Sequence, residues 1–389
     1  MRIAFNMVSL HTGGGNRIAK NLLLSLENHP EHDYLIIIPA DKGFDYILER
    51  SHIPFTVIRK PHRKTSFLSR LWFDNILLPR YIRSFKADVL ISLTNISTFF
   101  PPVPHLLLFH HPHFVYPESA YYRMIGKAEK FRKILEKICF RMTLRGSTMT
   151  VVQTPVSKDR LIKYHARYIK PEAVHVIPHS AIPITPEPAR SFPYPYEKDT
   201  LYLFSPTRYY PHKNLELLEK IAHNLFKINV SKVKFLITLD PSHDVRGARF
   251  LKKISQAPVS EYFDNLGFVP TECLEDIYHH SQAVIVQSIL ESQSFSYLEA
   301  LHFHKPILTT DMDFAHVVCG SAARYFSPDK PEDWANFIAE LKKNPQKLEE
   351  MKQASAARAV KYLVTSEQVC QAYLKLAEKI YLPSIKTKT

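Results

Sequence analysis

Cysteine is scarce in this chain. There are four in 389 residues, at Cys139, Cys273, Cys319 and Cys370, and no two are near each other in sequence. With no CxxC pair, the sequence argues against a structural zinc site or a disulfide framework and for a reducing compartment, the cytoplasm. No stretch approaches 18 consecutive apolar residues, so hydropathy offers no membrane-spanning helix. The opening "MRIAFNMV" reads as a strand rather than a secretory leader. Low-complexity tracts and internal repeats are missing too. Glycine numbers only 9, yet three are consecutive, in His11-Thr12-Gly13-Gly14-Gly15-Asn16-Arg17.

What is present describes an ordinary globular chain, 45% hydrophobic and 23% charged. Its length calls for two cores. The net charge of +14 is uneven: residues 1–190 hold 27 Lys and Arg against 14 Asp and Glu, whereas 191–389 hold 24 against 23. A basic half suggests an anionic partner, whether nucleic acid, a membrane surface or a phosphorylated substrate. Solubility alone is the plainer reading.

Short apolar runs alternate with helical patterns. Strands are expected at Ile3–Val8, Tyr34–Ile38, Val89–Leu93, Leu106–Phe109, Met149–Gln153 and Val174–Ile177. After six prolines between Pro178 and Pro195 they resume at Leu201–Ser205, Lys234–Leu239, Asn265–Val269, Ala283–Gln287 and Pro306–Thr310. This alternation predicts two doubly wound α/β domains: residues 1–185, a proline-rich linker over 186–199, and residues 200–365. Ligands in such sheets bind outside the carboxyl ends of the strands, and two such edges facing each other would form a cleft.

Two segments of the second half carry chemistry. In "LFSPTRYYPHKNLELLEK", Arg208 and Lys213 fall between a strand and a helix. In "AVIVQSILESQSFSYLEALHFHKPILTTD", Glu291 lies in a loop and Glu299 on the next helix. Each segment also admits a plain role: solvated loop cations, or a Ser296–Glu299 capping box. Together, however, they supply what a sugar nucleotide needs. The diphosphate takes fixed cations and helix N-termini, and the sugar and ribose hydroxyls take carboxylates.

Arg208…Lys213 followed by Glu291-x7-Glu299-Ala300, Pro306 and Asp311 resembles glycosyltransferase family 4, over residues 200–320 well and over the first half more loosely. The resemblance implies the GT-B fold, two Rossmann-like domains facing across a cleft. It implies a retaining, metal-independent glycosyltransferase of the hexosyl type that uses a nucleotide-diphospho-sugar as substrate and no cofactor. Arg208 and Lys213 would hold the diphosphate, Glu291 the sugar hydroxyls and Glu299 the ribose. Backbone N–H groups of Ser294, Phe295 and Ser296 would reach sugar or phosphate, and the backbone at Phe268 and Val269 the base. Departures stand at Ser292, Ser294 and Asn214, where the family commonly has glycine.

In the first half, the resemblance makes the Gly14–Gly15 turn a bare wall beside the donor and puts His110 next to the transferred sugar, with His111 the alternative. His110, His111 and His113 also suggest a metal, but Pro112 interrupts them and no acidic ligand is spaced with them. Arg123–Arg145 reads as a basic amphipathic helix, with Met124, Ala128, Phe131, Leu135, Ile138 and Met142 on one face. That helix and the basic stretch 59–70 suit an anionic membrane surface, as a sugar or lipid-linked acceptor in surface polysaccharide or glycolipid synthesis would require. A packed helix with a solvated basic face is the other reading. The C-terminal helix, residues 366–389, is expected to pack back on the first domain, as in relatives.

Rival readings differ in kind. A nucleic-acid binder would explain the charge but lacks any recognised motif. A nicotinamide enzyme would use the glycine turn with Asp41, but the GxGxxG fingerprint is incomplete. An epimerase or hydrolase of the same fold would share the donor site.

Overall fold

The computed structural model describes residues 1–10, 13–40, 43–60, 67–181, 188–242 and 244–386, with side chains to 382. His11, Thr12, Asp41, Arg63 and Lys64 lie outside the described residues. The chain divides into two compact units. Unit one is Met1–Pro117, Gly126–Ser180 and Val364–Thr389, and unit two is Glu118–Ile125 and Ala181–Leu363.

Unit one is built on seven parallel strands: β1 (Arg2–Asn6), β2 (Asp33–Pro39), β3 (Phe55–Lys60), β4 (Val89–Ser92), β5 (His105–Leu108), β6 (Met149–Val152) and β7 (Val174–Val176), ordered β3-β2-β1-β4-β5-β6-β7. Alternate residues feed opposite faces. Ile3, Phe5, Tyr34, Ile36 and Ile38 enter one core, and Ala4, Leu35 and Ile37 the other, which is why these strands read as unbroken apolar runs. The C-terminal helix Ser366–Lys386 adds Cys370, Tyr373, Leu374, Ala377 and Ile380 to the first of these cores.

Unit two repeats the plan with β8 (Leu201–Ser205), β9 (Val233–Ile237), β10 (Phe263–Asn265), β11 (Ala283–Val286), β12 (Ile307–Thr310) and β13 (Ala323–Phe326), ordered β10-β9-β8-β11-β12-β13. In each sheet the first strand is central and the order reverses beside it. The loops after β1 and β4, and after β8 and β11, therefore flank a topological switch point, where such sheets bind ligands.

Several expectations change. Strands β3 and β13 were not expected, and the strand placed at Asn265–Val269 ends at Asn265. Gly267 follows at φ +66 and Phe268 is 67% exposed. Residues 188–199 form no helix or strand but are held to unit two. The Arg190 N–H donates to Glu272 O, the Phe192 N–H to Asp276 Oδ2, and Tyr196 stacks on His280 at 4.1 Å. The basic helix is not continuous from Arg123. Tyr121–Met124 ends at Ile125, Gly126 precedes Lys127–Gly146, and the first piece lies in unit two. The described cations of the 59–70 stretch have partners within unit one. Arg59 pairs with Asp45 at 2.8 Å, Lys60 sits 4.4 Å over the Phe73 ring, and Arg70 binds buried Asp74 and the Ile96 carbonyl.

Candidate active site

In unit two, the loop after β8 makes a short 3-10 turn, Pro211–Lys213, ending at Asn214 in the left-handed conformation (φ 50). That conformation suits glycine or asparagine and accounts for Asn214 where glycine is common. The turn delivers Lys213 to the loop after β11, where its Nζ meets Glu291 Oε1 at 2.5 Å, 78 residues away in sequence. The Ile289 N–H donates to the His212 carbonyl, clamping the two loops. Burial alone would raise the Glu291 carboxyl. The charges of Lys213 and His212, with hydrogen bonds from Lys213 and Ser288, outweigh it and hold the group below the ordinary range. Arg208 stands in the same loop and forms no ion pair among the described residues.

Ser294 caps the helix Phe295–His302, yet its hydroxyl is buried without a partner. The helix thus begins with N–H groups and an unused hydroxyl, an arrangement receptive to an anion or a sugar oxygen. Ser296 is the second helical residue and donates to the Pro206 carbonyl at 3.3 Å. Glu299 is buried and accepts from Tyr278 at 2.6 Å. Glu299 is thus tied across to the helix Leu274–His280, and because the N-cap is Ser294, Ser296 is not the cap of a capping box. Phe268 and Val269 lie in the loop after β10, at the sheet edge.

In unit one, Gly13 opens the helix Gly13–Leu26 at φ +61 with open space around it, and a Cβ on Gly15 would come 2.9 Å from Leu10 Cδ2. Gly13 serves the turn and Gly15 a close packing contact, with Gly14 between them. His110 follows β5. The N–H groups of His110 and His111 both donate to Asn95 Oδ1, at 2.7 and 2.9 Å, and Asn95 Nδ2 lies 3.1 Å from His110 Nε2. Because Nδ2 can only donate, His110 Nε2 accepts and Nδ1 carries the proton, with no partner. Burial lowers His110 to about 4 and His179, close to His110 and Arg17, to about 3, so both are neutral at physiological pH. His113 faces Glu136 at 3.9 Å. Among the described residues, no three His, Cys, Asp or Glu side chains converge on a metal site. The sequence reading missed Asn95, His179 and Tyr278. They are isolated polar residues with no spacing pattern to mark them.

Comparison with known proteins shows the family and the fold. The family description "Glycosyltransferase Family 4" matches residues 12–181, and "Glycosyl transferases group 1" matches residues 188–358. No curated protein sequence matches the chain at a significant level. Among solved structures, HepE of Anabaena in complex with UDP-glucose is similar, with a TM-score of 0.70, 15% identity, and 97% of this chain and 100% of that one covered. Sucrose-phosphate synthase of Thermosynechococcus elongatus gives 0.74 and 14%, covering 98% and 100%. A glycosyltransferase of Rickettsia africae gives 0.68 and 16%, covering 97% and 98%. With two parallel, doubly wound sheets, both family matches and these neighbours, the chain belongs to glycosyltransferase family 4 and has the GT-B fold of two Rossmann-like domains.

Proposed function

We propose that this glycosyltransferase transfers a hexose, with retention and without a metal ion or cofactor, from a nucleotide-diphospho-sugar held by unit two to an acceptor hydroxyl. The observation that carries the reading is the Lys213–Glu291 pair, which joins the two switch-point loops of unit two. Glu291 lies in the same loop as Ser294, whose hydroxyl is buried without a partner at the start of Phe295–His302. Arg208 and Lys213 neutralise the diphosphate and the charge that grows as it leaves. Ionised Glu291 accepts from sugar hydroxyls, Glu299 from the ribose. Ser294, Phe295 and Ser296 offer N–H groups, and the Phe268–Val269 backbone meets the base. The acceptor oxygen bonds to the anomeric carbon on the face from which the diphosphate departs. The bond to the phosphate oxygen breaks, and that oxygen takes the acceptor proton.

In unit one, the Nδ1–H of neutral His110 donates to a sugar oxygen, and Gly14 and Gly15 bring helix N–H groups near the donor. The acceptor is a sugar or a lipid-linked sugar in surface polysaccharide or glycolipid synthesis. We place the enzyme in the cytoplasm, at the inner membrane face, a setting that the four free, buried cysteines suit. Nucleic acid is not the partner in this reading. Thermal unfolding with uridine, guanosine and thymidine diphosphate sugars, NAD and an oligonucleotide tests it. Stabilisation by at least one sugar nucleotide is expected. Stabilisation by NAD or the oligonucleotide alone would refute the reading.

A further inference from the structure

An amphipathic helix normally hides its apolar stripe against the core. Two helical segments of unit one leave theirs in water. In the helical run from Phe67–Trp72 into a π-helical segment, Phe73–Leu77, exposed Leu68 (74%), Trp72 (55%) and Ile76 recur every four residues. On Lys127–Gly146, exposed Phe131 (62%), Ile134, Ile138 and Met142 follow at helical spacing. Phe100, on a loop between them in sequence, is 81% exposed.

That loop ties the sets together. The Phe99 N–H donates to Asn75 Oδ1 at 2.9 Å, beside Ile76. The Ser97 N–H donates to Thr143 Oγ1, and the Thr143 hydroxyl to the Ser97 carbonyl, both at 3.3 Å, beside Met142. Gly146 approaches so closely that a Cβ there would lie 2.3 Å from Phe99 O. Ile76, Phe100 and Met142 thus each adjoin a residue that joins this loop to its neighbours.

Contiguous exposed apolar surface marks an interaction site, and the flanking charge selects the occupant. Lys127, Lys130, Arg132 and Arg145 are exposed on one helix, and Arg80 and Arg83 follow the other stripe. Two copies paired through such faces would oppose like charges. An anionic lipid surface neutralises them and accepts aromatic and aliphatic side chains at the headgroup boundary. We propose that Trp72, Phe100 and the Phe131–Met142 stripe dock unit one on an anionic bilayer. No helix among the described residues is long and apolar enough to cross a membrane, so the contact is peripheral. The inference gives the lipid-linked acceptor reading its surface, and rests that surface on apolar side chains.

The chain has 2 tryptophans, and Trp334 is fully buried, so added vesicles report on Trp72. With phosphatidylglycerol–phosphatidylcholine vesicles, the full chain's emission should shift to the blue and be quenched by brominated acyl chains, less so as salt rises. Phosphatidylcholine alone should give little change. Phe100→Ser and Ile134→Ser should each weaken vesicle binding about tenfold, leaving sugar-nucleotide stabilisation unaltered. Trp72→Phe should remove the signal and keep most of the binding. No vesicle binding, binding with Trp72 unperturbed, or a dimer in sedimentation that Ile134→Ser dissolves would overturn the proposal. If sugar nucleotides stabilise the protein in any of those cases, the donor-site reading survives. If vesicles bind but no sugar nucleotide does, that reading fails and the docking surface stands.

Discussion

Unit one and unit two share a winding but not an electrostatic design. In both, the first strand is central and two βα loops flank it. In unit two those loops carry an ionised pair, Lys213 and Glu291, with Arg208 in the same loop. In unit one the side chain that follows β5, His110, is neutral, and the Arg70–Asp74 pair beside the loop after β4 is turned to Thr94 and the Ile96 carbonyl. His110 is held by the Asn95 amide. The +13 excess of residues 1–190 includes exposed helix cations such as Lys127, Lys130 and Arg145, which are not among the candidate site residues. A charged leaving group suits the first arrangement, and neutral hydroxyls suit the second.

The largest expected effects test the charged side of that contrast. Lys213→Ala should cut turnover by two to three decades, as loss of one preorganised charge-stabilising group does, about 2.7–4 kcal/mol of barrier. It should also lower the melting temperature, because Glu291 is left buried without its cation, at a cost of about 3–5 kcal/mol. Arg208→Ala should lose turnover comparably and melt as the parent does. Initial rates and thermal unfolding separate the two. If both variants melted alike, Lys213 and Arg208 would not differ as described.

Acid sharpens the comparison next. Burial lowers four histidines of unit one, His105 and His179 to about 3, His110 and His165 to about 4. Below pH 6.5 the unfolded chain binds protons that these folded sites refuse, so stability falls as pH drops, about 1.4 kcal/mol per pH unit for each histidine. Glu291 is also shifted downward, but from a lower starting value, so its window lies at more acid pH. Its contribution is intact above pH 4.5 and is lost as pH falls through its lower folded value. Hydrogen exchange followed from pH 7 to 5 should show unit one loosening before unit two.

How much of this was legible in sequence follows from physics. Central strands announced themselves because both faces are buried. The missed ones, β3 (Phe55–Lys60) and β13 (Ala323–Phe326), lie at sheet edges, where half-exposed positions admit Arg59, Lys60 and Arg324 and break the apolar run. "NLGFV" was misread because its apolar residues imitate a strand, while Gly267 turns the chain at φ +66. The Glu-x7-Glu spacing and the Arg208…Lys213 pair were legible because a loop and its following helix fix them locally. Asn95 and Tyr278 were not, since each meets its partner only through the fold, 15 and 21 residues away.

Two smaller effects address those residues. Asn95→Asp should move the His110 ring proton to Nε2 and raise its pKa, visible in ¹⁵N spectra, with turnover reduced up to about tenfold. An unchanged tautomer would remove Asn95 from its orienting part. Tyr278→Phe removes the Tyr278 hydroxyl from Glu299 Oε2 and should raise KM for the sugar nucleotide a few-fold, with kcat little altered. A loss confined to kcat would contradict a positioning role for Tyr278.

The most direct test of the account is hydrogen–deuterium exchange of the intact chain with and without a sugar nucleotide that stabilises it. The account predicts protection concentrated in unit two at residues 206–214 and 287–299, abolished in Glu291→Ala. Protection that leaves both segments unchanged, or that persists there in Glu291→Ala, would contradict it.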